Sequence, residues 1–342
     1  MFYRILHVLQ VAFSAPLQVL FLTPKVPYMG RTLKGKLCVI SGGTSGVGLA
    51  VAEEMVKRGC DVILLVRDKQ KAIGVVAQLS QLNNLFMGTQ RAEVRAIECE
   101  LSSLVSVRMC VAELKETVKK RNVDYLCCTA GVFLQESSIN RTNPLEHHYC
   151  VNHLGHFALL MGLMDVLRAS QTRIAMLSSD LMVFSDDCSP YRRPKIGDGA
   201  GLYERTNNTY SPAALWRSLQ AFASSKLANF ALFQEIHARF PELSVVAVHP
   251  GHINSHTSAT PFSGVLGAFW GLLKGLVLIG HSRACQPVLH CLLTDAVPKG
   301  SYFHSVFGVV PPSPWFLPSC LLSAVWRKNV LNESMRACGL NE

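Results

Sequence analysis

The apolar run Lys36-Leu37-Cys38-Val39-Ile40-Ser41 passes without a spacer into Gly42-Gly43-Thr44-Ser45-Gly46-Val47-Gly48 and then into a helical pattern from Leu49 to Arg58. A strand that is apolar on both faces suits a parallel sheet covered by helices on both sides. Glycines at the strand-to-helix junction let the backbone approach a pyrophosphate, and the free amides of the first helical turn favour negative charge there. Such a junction commits the chain to an α/β architecture, because a parallel strand needs a crossover before the next one can pair. The remaining pattern complies. Strands over Asp61–Val66, Ala92–Glu98, Val123–Cys128, Arg173–Leu177 and Leu243–Val248 alternate with helices over Leu104–Lys120, His147–Leu167 and Ala213–Phe240. The expected fold is a Rossmann-type doubly wound parallel sheet with right-handed crossovers, in a single domain.

The second strand ends in Arg67-Asp68-Lys69. In an NAD site an acid at the end of this strand holds the ribose 2′-hydroxyl, whereas an arginine accommodates a 2′-phosphate, so the expected cofactor is NADP(H).

The spacing of Gly42, Gly46 and Gly48 resembles that of the short-chain dehydrogenases and reductases, and further matches follow in order from about Leu37 to about Phe303. Glu100-Leu101 resembles the acid–leucine pair that contacts adenine in that family, where the acid is usually aspartate. Thr129-Ala130-Gly131 resembles the Asn-Asn-Ala-Gly turn, with Cys128 and Thr129 in place of the two asparagines. Val151-Asn152-His153-Leu154-Gly155-His156-Phe157 is similar to the segment carrying the active-site asparagine, here Asn152, and Ile174 to Ser179 to the strand that ends in the catalytic serine, here Ser179. His249-Pro250-Gly251 followed by Ser255 resembles the turn and hydroxyl that hold the nicotinamide carboxamide. Within the family the chain looks most like the membrane-associated retinol dehydrogenase group. The resemblance implies that Thr44, Ser45 and Val47 join the three glycines around the dinucleotide, that Ser179 binds the reacting oxygen, that Lys226 binds the nicotinamide ribose, and that Asn152 holds a water linking the lysine to solvent.

The helix Leu219-Gln220-Ala221-Phe222-Ala223-Ser224-Ser225-Lys226-Leu227-Ala228-Asn229 departs from that pattern at one decisive position. The family places a tyrosine one turn before the lysine, where the cation makes the phenol a proton donor near neutral pH. Phe222 has no proton to give. General acid–base catalysis is worth roughly 10² to 10⁴ in rate, so hydride transfer is expected to be weakened rather than abolished. Tyr203 and Tyr210 lie between Ser179 and Phe222 and are candidate substitutes. Two classes of function follow: an NADP(H)-dependent oxidoreductase of an apolar carbonyl or alcohol (retinoid, steroid or fatty-chain), or a catalytically silent dinucleotide-binding homologue with a regulatory or scaffolding role.

At 342 residues the chain exceeds one such domain by its additions and not by a second core. Residues 1–35 form an apolar N-terminal membrane-associating segment, 36–310 the dehydrogenase domain, and 311–342 a C-terminal extension. Within the domain, 181–216 reads as an insertion loop and 256–285 as an apolar substrate lid containing the stretch Gly264–Gly280. Met1–Thr23 is interrupted by Gln10, Pro16 and Gln18, which makes it a poor full span but a fair interfacial anchor. Lys25, Arg31, Lys34 and Lys36 follow it, against Arg4 before it, which places the domain on the cytosolic side of an endoplasmic reticulum or lipid-droplet membrane.

The net charge of +10 fits anionic headgroups or dinucleotide phosphates, and no interleaved basic and aromatic pattern suggests nucleic acid. A small apolar substrate, a lipid surface and a second copy in a homodimer are the expected partners. Twelve cysteines without a Cys-x-x-Cys pair, several on core strands, argue against disulfides and structural zinc. The groups His147, His148, His153, His156 and His249, His252, His256 fall on family segments that hold no metal, so no metal is expected. Asn140, Asn207 and Asn332 head glycosylation sequons that are usable only by a lumenal domain.

Overall fold

The computed structural model describes residues 2–20, 32–87, 92–119, 121–133, 147–185, 212–253, 278–314 and 317–340. Strands β1 (Leu37–Ser41), β2 (Asp61–Val66), β3 (Val94–Glu98), β4 (Tyr125–Cys128), β5 (Arg173–Leu177), β6 (Ser244–His249), β7 (Tyr302–His304) and β8 (Gly308–Val310) form one sheet in the order β3-β2-β1-β4-β5-β6-β7-β8. Seven strands run parallel and only β8 returns antiparallel to β7. The order reverses between β1 and β4, and ligands of open α/β sheets bind in the crevice that this reversal opens at the carboxyl ends of the strands.

One face of the sheet is covered by α2 (Gly46–Lys57), α3 (Lys69–Met87) and α7 (His281–Leu293), with Met55, Leu79 and Leu289 buried against β1 and β2 side chains such as Ile40 and Leu64. The other carries α4 (Leu104–Thr117), α5 (Gly155–Ala169), α6 (Pro212–Arg239) and α8 (Ala324–Ala337), whose core is anchored by Phe157, Phe230 and Phe233. Burial of both sheet faces is the physical reason the strands read as unbroken apolar runs. His147–Ala169 is long and apolar enough to cross a membrane, but most of it is buried in this core, which accounts for its composition.

Three departures from the sequence pattern position the site. The helix expected over His147–Leu167 is not continuous: a turn at His147–Tyr149 enters a π-helical segment, Cys150–Leu154, before α5 begins. Within that segment the Asn152 carbonyl accepts from His156 Nδ1 at 3.1 Å and Asn229 Nδ2 at 2.5 Å. Residues after 310 are integral to the domain, since α8 packs on α6, Ser334 Oγ pairs with His153 Nε2 at 2.8 Å, and Arg327 Nε donates to Glu235 Oε1 at 3.1 Å. That burial places the Ser334 hydroxyl of the Asn332 sequon inside the fold, whereas Asn140 and Asn207 lie outside the described residues.

Thirdly, the N-terminal segment is a helix, α1 (Phe2–Leu20), whose polar interruptions are its docking face. Ser14 and Gln18 are buried: Ser14 Oγ donates to Asp180 Oδ2 at 3.2 Å, and the Gln18 amide both donates to the His252 carbonyl at 3.0 Å and accepts from His252 N at 2.8 Å. Arg283 Nη2 closes the end of α1 by donating to the Gln18 and Val19 carbonyls. Leu9, Phe13 and Leu20 share the opposite, exposed face.

Candidate functional site: a dinucleotide cradle beside a lysine and a phenylalanine

The glycine turn has the geometry of a cradle. Gly42 (φ +71°) and Gly46 (φ +60°) adopt a left-handed backbone, and a Cβ on Gly42 would stand 2.7 Å from Ala130 Cα. A Cβ on Gly48 would stand 2.4 Å from the Gly42 carbonyl oxygen and 2.5 Å from Thr129 Oγ1, so the start of α2 presses directly on the turn. Thr44 and Ser45 lie on the loop and Val47 is buried beneath it, while Ser45 at the helix start makes no side-chain cap, which leaves the first-turn amides to another acceptor. The turn is fixed to the one after β4 through Ser41, whose Oγ accepts from Thr129 N at 3.1 Å and Ala130 N at 3.3 Å and pairs with His156 Nε2 at 2.9 Å. Thr129 Oγ1 in turn donates to the Ser41 carbonyl. Thr129 therefore ties the two turns together at a position where the family uses an asparagine.

Beyond β2, Asp68 is taken up in starting α3, its Oδ1 accepting from Gln70 N at 2.9 Å and Lys71 N at 3.2 Å. Arg67 is 72% exposed and lies 3.7 Å from Glu100 Oε2, a surface pair too weak to hold it against a phosphate. Glu100 Oε1 accepts from Ser102, and Leu101 is buried under Gly155, where a Cβ would meet the Leu101 carbonyl at 2.3 Å. Arg67, Glu100 and Leu101 thus gather at the carboxyl ends of β2 and β3, on one side of the crevice.

The other candidates converge on the far side of β4. A Cβ on Gly131 would lie 3.4 Å from both Asn152 Oδ1 and Lys226 Nζ, so these three meet at one point. Lys226 is buried, donates to the Leu177 carbonyl at 3.3 Å, and has its Nζ 5.7 Å from the centre of the Phe222 ring, a cation–π contact. Burial lowers its ammonium to about 8, with partial opposition from Cys128. The Phe222 ring is edge-on to Phe133 at 5.3 Å and to His148 at 6.5 Å. Ser179 Oγ accepts from Leu181 N at 3.2 Å as the cap of a 3-10 turn, Asp180–Phe184, leaving its proton available to an acceptor. Asn152 stands beside Gly131 and Lys226. Its side chain is spent on Val132 N (2.8 Å), the Val132 carbonyl (3.1 Å) and Ser225 Oγ (3.0 Å), so it braces the 130–132 turn.

Pro250 and Gly251 (φ +104°) end β6, and a Cβ on Gly251 would meet Gln18 Oε1 at 2.6 Å. Ser255, His256, Tyr203, Tyr210 and most of the 181–216 and 256–285 segments fall outside the described residues. Sequence reasoning missed Asp180 and His304. Asp180 is 3% exposed and faces three imidazoles, with His252 Nε2 at 3.1 Å, His249 Nε2 at 3.7 Å and His304 Nε2 at 3.8 Å. Burial opposes its charge, but the rings outweigh burial and hold its carboxyl well below the usual carboxylate range, and burial holds His249 well below the usual imidazole range. No spacing signals this group, because its members lie at or just beyond the ends of β5, β6 and β7.

Comparison with known proteins bears on the same residues. The sequence profile of the short chain dehydrogenase family matches residues 36–190, which include the cradle and Ser179. The human (Homo sapiens) WW domain-containing oxidoreductase is 32% identical over 237 residues, covering 67% of this chain and 52% of that protein, so the chain spans about half the length of this relative. Retinol dehydrogenase 12 of Mus musculus is 28% identical over 276 residues, 79% of this chain and 78% of its own. Among solved structures, the NADPH-dependent 3-quinuclidinone reductase of Rhodotorula rubra superposes with a TM-score of 0.57 over 82% of this chain and 95% of its own at 20% identity, a likeness of fold. Sheet order, the sequence of motifs along the chain and the profile match all agree, and the chain belongs to the short-chain dehydrogenase/reductase family.

Proposed function

We propose that the protein is an NADP(H)-dependent oxidoreductase of an apolar carbonyl or alcohol, of the retinoid, steroid or fatty-chain class, with a weakened proton-transfer step. The observation that carries this reading is that Lys226 faces the ring of Phe222 one turn before it, in a chain that keeps Ser179 and the glycine cradle and lacks only the hydroxyl of a tyrosine. The dinucleotide supplies the hydride when bound. Gly42, Thr44, Ser45, Gly46, Val47 and Gly48 would hold its pyrophosphate, Arg67 the 2′-phosphate, Glu100, Leu101 and Ala130 the adenosine side, and Gly131, Lys226, Pro250, Gly251 and Ser255 the nicotinamide riboside. Ser179 donates to the reacting oxygen, and Lys226 supplies the positive field that favours a developing alkoxide. The test is turnover of the purified protein with NADPH against a panel of apolar aldehydes and ketones, where slow oxidation of NADPH is expected. A second reading, a silent dinucleotide-binding protein that regulates or scaffolds another, is favoured by the Phe222 ring that faces the lysine and packs against Phe133 and His148, and retained NADPH binding without turnover would select it.

Selectivity for the phosphorylated cofactor gives a separate expectation. Arg67→Ala should weaken NADPH about tenfold or more, the loss of a charge-assisted contact of ~1.5–3 kcal/mol, and leave NADH nearly unchanged. Equal affinity of the unmodified protein for both nucleotides would reject NADP(H) selectivity.

The membrane reading is carried by α1. Its polar face is fixed to the domain, while Leu9, Phe13 and Leu20 remain 44%, 62% and 74% exposed, a face suited to the headgroup boundary of the endoplasmic reticulum or a lipid droplet with the domain in the cytosol. The protein should sediment with membranes, and Phe13→Asp should release a large share of it without unfolding. Recovery of the unmodified protein in the soluble fraction would reject the reading.

A further inference from the structure

We propose that Asp180, His249 and His252 bind one divalent transition-metal ion of the zinc class, in a site that also ties the N-terminal helix to the loop after Ser179.

The donors come from separate parts of the chain: Asp180 from the turn after β5, His249 from the end of β6, His252 from the loop that follows, with Ser14 from α1 and His304 from β7 against them. The ligand atoms of Asp180, His249 and His252 all lie within 4.8 Å of one another. Metal–ligand bonds of about 2.0–2.2 Å require donor atoms roughly 3–3.5 Å apart. Asp180 Oδ2 is 3.1 Å from His252 Nε2, and Ser14 Oγ is 3.2 Å from each of them. His249 Nε2 is 3.7 Å from Asp180 Oδ1 and closes on a shared ion by moving inward.

A second observation points the same way. Asp180 Oδ1, His249 Nε2 and His304 Nε2 are buried without a hydrogen-bond partner, and their residues are 3%, 2% and 0% exposed. Leaving three such atoms unsatisfied in one place is costly. A cation among them would satisfy the carboxylate oxygen and the His249 nitrogen together. One carboxylate and two imidazoles suit zinc, cobalt or nickel rather than calcium or magnesium.

Tautomers assign the roles. His304 Nδ1 accepts from Val306 N at 3.1 Å and Phe307 N at 3.4 Å, so its proton sits on Nε2 and faces Asp180 as a donor. His304 therefore supports the carboxylate and is not a ligand. His249 Nδ1 accepts from Asp180 N at 3.4 Å, a longer bond than the one that fixes His304, and ligation through Nε2 moves the His249 proton to Nδ1 and gives up that bond. The same geometry gives the site a consequence: ligation fixes the residue next to Ser179 and, through Ser14, the docked α1.

The test uses the full chain, stripped with a chelator and titrated with Co²⁺. A single Co²⁺ per chain with visible d–d absorption, displaced by Zn²⁺, and a rise in melting temperature on loading are expected. His304→Gln should lower the affinity about 10–100-fold without removing the bands, as loss of a supporting partner does. The double variant Asp180→Asn, His252→Gln should lose the bands while keeping a native circular dichroism spectrum. Should that variant not fold, the unmodified chain and His304→Gln still decide. Absence of bands in the unmodified chain overturns the proposal, as does equal uptake by the double variant, which would trace the metal to exposed histidines, or an affinity untouched by His304→Gln.

Discussion

Phe222→Tyr is expected to raise NADPH-linked carbonyl reduction by a factor on the order of 10² or more, the usual scale of a placed general acid. Phe222 and Lys226 lie one turn apart on α6, and the 5.7 Å separation between ring centre and ammonium shows that they already share a face. The substitution adds one oxygen at the rim of a ring that is only partly buried, so its packing cost is small. Burial has lowered Lys226 to about 8, so most of the side chain is still cationic at neutral pH and can draw the new phenol toward its ionised form. The gain should vanish in Phe222→Tyr, Ser179→Ala, because the serine hydroxyl orients the reacting oxygen and the two changes act on one step. A fast unmodified protein that Phe222→Tyr leaves unchanged would mean that another donor already works there. No turnover in either form, with NADPH bound, would select the silent reading.

Most of this fold was legible because parallel strands advertise themselves. β2 and β5 run where their apolar stretches do, and β1, β3, β4 and β6 differ from them by a residue or two at their ends. The glycine turn was equally legible, since only that residue tolerates the left-handed backbone at Gly42 and the contact at Gly48. What could not be read was anything set by a side chain meeting a partner far along the chain. Gln18 looked like a flaw in an anchor, and it is a hydrogen-bonded joint to His252. The partners of the Asn152 amide, Val132 and Ser225, were likewise beyond the pattern. The Asp180 group was invisible because His249 and His252 were discounted as family sequence and the other members are single residues far along the chain, in the turn after β5 and on β7. Local periodicity reports burial, and it says nothing about which buried polar groups meet.

Gly48→Ala is expected to lower NADPH affinity by about 10–100-fold, and the contrast with a second glycine separates the site from the scaffold. The new methyl would stand 2.4 Å from a backbone carbonyl, Gly42 O, and 2.5 Å from Thr129 Oγ1, which is itself held on the Ser41 carbonyl. Neither neighbour is the free end of a flexible chain, so α2 must move away from the turn at an overpacking cost of ~1–3 kcal/mol. Because the moved atoms are the amides that would meet the pyrophosphate, the displacement is paid again in binding, at about 1.4 kcal/mol per tenfold. Gly74, by contrast, lies inside α3 with nothing within 4 Å of its Cβ direction. Gly74→Ala should stabilise the protein by ~0.5–1 kcal/mol through helix propensity and leave NADPH affinity unchanged. Thermal melts and nucleotide titrations of the two variants check this pairing. Equal NADPH affinity in Gly48→Ala and the unmodified chain would show that the cofactor does not use this turn, and would remove the cradle from the argument for function.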